Sequence, residues 1–329
     1  KELLSTNMMQ TSGYGLDEFS ESARDKIRKA CGAPEAGVYF LVGGTQTNAT
    51  VIDALLRSYQ GVLCADTGHI AVHEAGAIEF GGHKVLPLPN TDGKINAAQI
   101  SAYMDTFLSD ESHEHMVMPG MVYISQPTEY GTLYSRKELT ALNEACRRYH
   151  LPLYVDGARL AYALASPDND VTLKDLARLC DVFYIGGTKC GAFFGEAVVI
   201  PDPALIPHLF TIIKQHGALF AKGRILGIQF DALFTDDLYL HIGKSALDCA
   251  AAIKSALKEN GYRFFLETPT NQIFVILENE ALHRLEKHAE FSFWENYDDS
   301  HTVIRIATSW ATTKEHTDAL IELLKENRA

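Results

Sequence analysis

Between residues 37 and 200, short apolar runs alternate with stretches in which apolar residues recur at helical spacing. The runs at 38–42, 62–65, 84–88, 121–125, 153–155, 182–185 and 197–200 predict strands. Several are apolar throughout instead of alternating with polar residues, the pattern of strands covered on both faces. Amphipathic helices are expected between them. Ser135-Arg136-Lys137-Glu138 has the spacing at which side chain and backbone cap each other, and it opens a helix expected to run to about 150. Thr172-Leu173-Lys174-Asp175 opens another in the same way. Strand–helix–strand alternation at this spacing requires right-handed crossovers and a mainly parallel sheet flanked by helices. Sites in such sheets lie beyond the carboxyl ends of the strands.

The tail follows a different pattern. A helical stretch over 223–260 is followed by strand candidates at 262–267, 272–277, 291–294 and 302–308, with helices near 280–288 and up to 326. The expected organisation is an α/β large domain over 1–235 and a smaller α+β C-terminal domain over 236–329.

Composition narrows the function classes. A chain of 329 residues exceeds one small core. A net charge of -13 opposes nucleic acid, whose binding needs a positive surface. No apolar run is long enough for a bilayer, and no secretory signal is present, so neither nucleic acid nor membrane is an expected partner. The six cysteines are scattered, without a C-x-x-C pair or a His/Cys cluster at zinc spacing. They read as free thiols in a reducing cytoplasm, with no metal expected. The chain opens at Lys1, not at methionine, which leaves room for a preceding native segment.

Four strand ends carry candidate chemistry. After 38–42 come Gly43, Gly44 and Thr45, entering a helix. Glycines let a backbone approach a ligand, and a helix N-terminus favours phosphate, although a GGT turn alone is usually only a tight turn. After 153–155 come Asp156 and, three residues on, Arg159; alone these read as a helix cap and a surface cation. Lys189 follows the fully apolar 182–185, and His69 follows 62–65. A lysine there is either the start of an exposed loop or a reactive amine at the mouth of a site. Taken together, the four ends match the needs of pyridoxal 5'-phosphate: an amine for the Schiff base, a carboxylate for the ring nitrogen, a phosphate cup and a partner for the ring face. Lys189, Asp156, Gly44 with Thr45, and His69 supply one each. The lack of G-x-G-x-x-G after the first strand speaks against a nicotinamide oxidoreductase.

The chain resembles the threonine aldolase / β-eliminating lyase family of fold-type-I pyridoxal enzymes, from about residue 10 to the C-terminus. The matching segments are Tyr14-Gly15-x-Asp17, Gly43-Gly44-Thr45-Gln46-Thr47-Asn48, Asp66-Thr67-Gly68-His69-Ile70 with His73-Glu74-Ala75-Gly76-Ala77, and Asp156-Gly157-Ala158-Arg159-Leu160. Lys189-Cys190-Gly191-Ala192 and Ile304-Arg305-Ile306-Ala307-Thr308-Ser309-Trp310 complete the set. DGARL followed by a lysine beyond the next strand is specific; GGT alone is not.

The resemblance implies that Lys189 forms the Schiff base, Asp156 binds the pyridine nitrogen and His69 stacks on the ring, where it or a water it holds acts on the substrate hydroxyl. Gly43, Gly44, Thr45 and Thr188 would hold the phosphate. Arg305, helped by Arg159, would take the substrate carboxylate. It also implies a homodimer or homotetramer with shared sites, in which Tyr14, or a basic residue of Lys222-Gly223-Arg224, serves the neighbouring subunit. Without the family match, Arg305 reads as half of a cross-strand ion pair. Family members carry a serine near the carboxylate before this start, and commonly Ser at position 43 and Ser-Lys at 188–189. The implied reaction is retro-aldol cleavage of L-threonine or L-allo-threonine to glycine and an aldehyde. β-Elimination or transamination on the same scaffold, or a non-catalytic binding protein, are the alternatives, because scaffold does not fix chemistry.

Overall fold

A tyrosine recurs near the middle or end of three predicted strands, in Met121-Val-Tyr-Ile-Ser125, Leu153-Tyr-Val-Asp156 and Val182-Phe-Tyr-Ile-Gly186, and the fold shows why. The computed structural model describes residues 2–327. Seven strands form one sheet: β1 (Gly37–Leu41), β2 (Gln60–Ala65), β3 (Lys84–Leu88), β4 (Met118–Ser125), β5 (Leu153–Asp156), β6 (Val182–Gly186) and β7 (Glu196–Ile200). Their spatial order is β1-β7-β6-β5-β4-β2-β3. Pairing is parallel from β6 through β5, β4 and β2 to β3, while β7 runs antiparallel to both β6 and β1. β5, β6 and β7 are buried along their whole length.

Alternate residues divide between two cores. Leu63, Val122, Ile124, Val155, Phe183 and Ile185 pack on one face, with the helices Glu18–Cys31 and Arg136–Arg148. Val62, Met121, Tyr123, Tyr154 and Tyr184 pack on the other, with the helix Gly44–Leu55. The three tyrosines therefore lie side by side, with Tyr123 directly opposite Tyr154. A buried phenol needs a partner for its hydroxyl, and all three point toward the carboxyl end of the sheet, where polar groups meet them. The helix Arg136–Arg148 starts with the reciprocal Ser135/Glu138 cap, and Thr172 and Asp175 do the same for Leu173–Leu179.

A second, antiparallel sheet has the order β10-β11-β9-β8, from β8 (Arg263–Leu266), β9 (Gln272–Glu278), β10 (Ser292–Asn296) and β11 (His301–Ala307). It packs on the helices Lys244–Glu259, Asn279–Leu285 and Lys314–Glu326 through Ile253, Leu257, Ile273, Val275, Leu285 and Ile304. The helical stretch expected over 223–260 consists of Arg224–Leu233, a short 3-10 turn, Leu238–His241 and Lys244–Glu259. Asp236 and Asp237 adopt left-handed φ values of 51° and 55°, a conformation that aspartate tolerates and that ends a helix. Among the described residues no helix is long and apolar enough to cross a membrane. None of the six cysteines is disulfide-bonded.

Candidate active site

The carboxyl ends of the strands converge on one cavity of about 140 Å³. β1 delivers Gly43 and Gly44, β2 delivers His69, β5 ends in Asp156 with Arg159 beyond it, and Thr188 and Lys189 follow β6; all line the cavity. Gly43 caps the helix Gly44–Leu55 without a side-chain bond, so no side chain of the cap competes for the N–H groups of the first turn. Thr45 stands in that turn but is exposed and lies outside the residues lining the wall. Among the described residues no cluster of three or more His, Cys, Asp or Glu is arranged to hold a metal ion.

Asp156 is buried at the floor, and four donors hold its oxygens. Oδ1 accepts from the Tyr184 hydroxyl at 2.5 Å and the Ala158 N–H at 2.9 Å. Oδ2 accepts from the Tyr123 hydroxyl at 2.7 Å and the Asn48 amide at 3.0 Å. Burial alone raises a carboxyl pKa, at a penalty of several kcal/mol for the charge. Hydrogen bonds to a charged group return about 1.5–3 kcal/mol each, and four of them outweigh that penalty. The result is a carboxyl held below its ordinary range and therefore ionised in the interior.

Lys189 is the reverse case. Its amine makes no hydrogen bond or ion pair with any described residue. Burial first, and the Arg159 guanidinium second, lower its pKa to about 8, against a weaker pull from Asp156 and Glu196. An amine with so lowered a pKa offers far more of its neutral, nucleophilic form near neutral pH than an ordinary lysine does.

Two guanidiniums face each other across the site. Arg305 arrives on β11 from the smaller sheet, and Arg159 from beyond β5. The cross-strand ion pair does not form: among the described residues neither arginine has a carboxylate within 4.0 Å. Arg305 Nε is buried without a partner, and only Gln272 Oε1, at 3.5 Å, meets its Nη1. The ring of Trp294 backs the guanidinium at 5.6 Å. Burial and the charge of Arg159 depress the Arg305 pKa. Two guanidiniums, of which Arg159 feels Glu129 and Asp156 only at a distance and Arg305 has among the described residues no carboxylate beside it, make a site for a carboxylate, which a guanidinium grips bidentately.

His69 is oriented from behind. Its Nδ1 lies 2.8 Å from Oε1 of the fully buried Glu74 side chain, and that same oxygen accepts from Asn48 Nδ2 at 2.7 Å. The Tyr154 hydroxyl donates to Asn48 Oδ1 at 2.8 Å. Asn48 thus ties the histidine's carboxylate to Asp156. Asn48 and Glu74 lie within the family-like segments, yet nothing in their spacing announces the bridge. Glu129 and Glu196 also line the cavity without having been anticipated. Burial raises both, Glu196 to about 7.

The remaining expected residues are placed differently. The Thr188 hydroxyl accepts the Gly195 N–H at 2.9 Å and so closes the loop after Lys189. Tyr14 is 44% exposed and lines a different cavity, with Phe40 and Phe220. Of the basic pair near it, Arg224 is buried and donates to Thr6 Oγ1 at 2.9 Å, whereas Lys222 is exposed.

These groups fit pyridoxal phosphate on the structure's own terms. The cavity joins an unpartnered amine, a carboxylate kept ionised against burial, a glycine-lined helix N-terminus and the Arg159 guanidinium, and the charge of Arg305, outside its wall, still reaches Lys189.

Comparison with known proteins agrees. A sequence model of the beta-eliminating lyases matches residues 2–291. A low specificity L-threonine aldolase of Pseudomonas sp. is 31% identical over 278 residues, covering 83% of this chain and 78% of the relative. A solved threonine aldolase of Leishmania major superimposes with a TM-score of 0.95 at 42% identity, covering 100% of this chain and 95% of the other. A putative L-allo-threonine aldolase of Listeria monocytogenes has a TM-score of 0.75 at 17% identity, over 98% of this chain and 90% of its own, and so shares the fold.

Proposed function

This chain belongs to the beta-eliminating lyase family, and from that premise we propose that it cleaves β-hydroxy-α-amino acids such as L-threonine and L-allo-threonine to glycine and an aldehyde, with pyridoxal 5'-phosphate as cofactor. The observation that carries the reading is the buried amine of Lys189, lowered to about 8, in one cavity with the ionised Asp156. Bound there, the cofactor supplies an electron sink for the pair released at the substrate's Cα.

The chain's residues do the rest. Lys189 is the covalent anchor for the cofactor's aldehyde. Asp156, fixed by four donors, keeps a proton on the ring nitrogen. The first-turn amides after Gly43 hold the phosphate, because the positive end of a helix favours an anion. His69, its ring orientation set by Glu74, would pack on the cofactor. Arg305 and Arg159 would take the substrate carboxylate and so orient the bonds at Cα.

The functional unit is a homo-oligomer with shared sites. Tyr14 and Lys222 stand away from the Lys189 cavity of their own chain, as residues serving a neighbour must. Phe193, in the loop just after Lys189, is 82% exposed, an apolar surface suited to a subunit contact.

The test is product analysis after adding pyridoxal phosphate and L-allo-threonine. Glycine with acetaldehyde is the expected outcome. A 2-oxo acid with ammonia would move the protein to the eliminating branch of the family while leaving Lys189 and Asp156 in place.

A further inference from the structure

Retro-aldol cleavage needs an acceptor for the β-hydroxyl proton; Glu196 on the cavity wall already accepts the Gly187 N–H at 3.0 Å, and His69 and Glu129 are the further candidates there. Glu129 stands on the loop after β4, and that loop is held firmly. The Gln126 side chain accepts the Tyr134 N–H at 2.9 Å and donates to the Tyr134 carbonyl at 3.1 Å. The Thr128 N–H donates to the Thr132 carbonyl at 2.9 Å, and their hydroxyls meet at 2.6 Å. The Glu129 carboxyl is buried on the wall shared with Lys189 and Arg159. Its two oxygens are used unequally: Oε1 accepts both the His69 N–H at 2.9 Å and the Ser125 hydroxyl at 2.6 Å, while among the described residues no side chain donates to Oε2. One oxygen anchors the group and the other is left to the cavity.

Resting on the retro-aldol reading, we propose that Glu129 Oε2 is the base that takes the proton of the substrate's β-hydroxyl. The O–H bond breaks, its pair becomes the second bond of the aldehyde carbonyl, and Cα–Cβ opens. The pair left at Cα goes to the electron sink already named. The carboxyl then releases its proton and Cα takes one up, which closes the balance to glycine and aldehyde.

Charge separates the two acceptors. A proton on Glu129 removes a buried negative charge, the direction in which burial and the neighbouring Asp156 already push it. His69 instead has its Nδ1 engaged by the Glu74 carboxylate at 2.8 Å and its ring packed against His73. The other groups that feel Glu129 are the Arg159 guanidinium and Tyr123, Tyr134 and Cys64, the last three all raised; Glu196, raised to about 7 on the same wall, shares the acidic end of the pH profile with it.

Glu129→Gln keeps the size of the side chain and an oxygen for Ser125 and the His69 N–H. In the holoenzyme, acetaldehyde release from L-allo-threonine should fall on the order of 10²–10⁴-fold in kcat, the usual weight of general base catalysis. The share of Glu129 in the acid limb of the pH profile should disappear. Exchange of the glycine α-protons in deuterated water, which involves no β-hydroxyl, should be unchanged, as should glycine affinity read from the cofactor's absorbance. Formate should restore part of the activity of Glu129→Ala. Retention of kcat in Glu129→Gln would overturn the proposal, and so would an equal loss of glycine exchange, which would make the carboxyl merely structural. No acetaldehyde from the wild-type protein would instead overturn the reading on which the proposal rests.

Discussion

Lys189 carries an ammonium only at a cost, and that cost is measurable apart from catalysis. Burial and Arg159 bring its pKa from 10.5 to about 8. Between those values the unfolded chain binds a proton that the folded chain does not, so stability rises with pH across the window and is lowest below it. The difference corresponds to about 3 kcal/mol at neutral pH, from 1.4 kcal/mol per unit. Lys189→Met should therefore abolish turnover yet melt higher than the wild-type apoprotein at pH 7, with the gap closing toward pH 10. A lower melting temperature for Lys189→Met at pH 7 would show that the amine is stabilised by something other than the groups around it here. At this scale the sequence was legible where a residue follows directly on a strand. Lys189, Asp156 and His69 could each be read because the sheet's carboxyl edge assigns them a place. Glu74, Asn48 and Glu129 could not, since their roles are contacts across the fold: Asn48 reaches Asp156 over 108 positions.

Between residue and molecule lies the junction of β5 and β6, where the Asp156-Gly157-Ala158-Arg159 segment owes its glycine to a close approach. A Cβ on Gly157 would lie 1.9 Å from the Tyr184 carbonyl oxygen, and the Gly157 carbonyl accepts the Gly186 N–H at 3.0 Å. Both partners are backbone, so neither can turn aside. Gly157→Ala should cost about 1–3 kcal/mol of stability, as overpacking usually does. It should also weaken cofactor uptake, because Asp156 and Arg159 flank the displaced residue; an absorbance titration of the apoprotein with pyridoxal phosphate would read the loss. Unchanged affinity would mean that the strand ends yield without moving the site. Elements were legible to the extent that local chemistry decides them. The Ser135 and Thr172 caps and the apolar strand interiors declared themselves, and β3 runs over the expected residues 84–88. The break at Asp236 and Asp237 did not, because the apolar spacing of 223–260 suits one long helix and only the left-handed aspartates end it. The antiparallel placing of β7, one strand in from the edge of the large sheet, is a matter of topology, which periodicity does not encode.

The whole molecule brings Arg305 on the small antiparallel sheet to the carboxyl edge of the large one, so that on the proposed function two separate cores would hold the substrate. Small hydrogen bonds lock that junction: Thr270 Oγ1 donates to the Gly131 carbonyl at 2.7 Å, and Ser166 Oγ to the Pro269 carbonyl at 2.9 Å. One chain still leaves Tyr14 and Lys222 outside its own cavity. If they complete a neighbour's site, two inactive chains can repair each other. A chain carrying Lys189→Ala retains a sound Tyr14, and a chain carrying Tyr14→Ala retains a sound Lys189. In a mixed dimer one of the two sites then receives both intact residues, whereas residues acting only within their own chain would leave both sites defective. Co-refolding the two variants should thus restore part of the acetaldehyde release that neither shows alone, with a dimer or larger species in light scattering. Mixed dimers without recovered activity would confine each site to a single chain and leave the exposed Phe193 to some other contact.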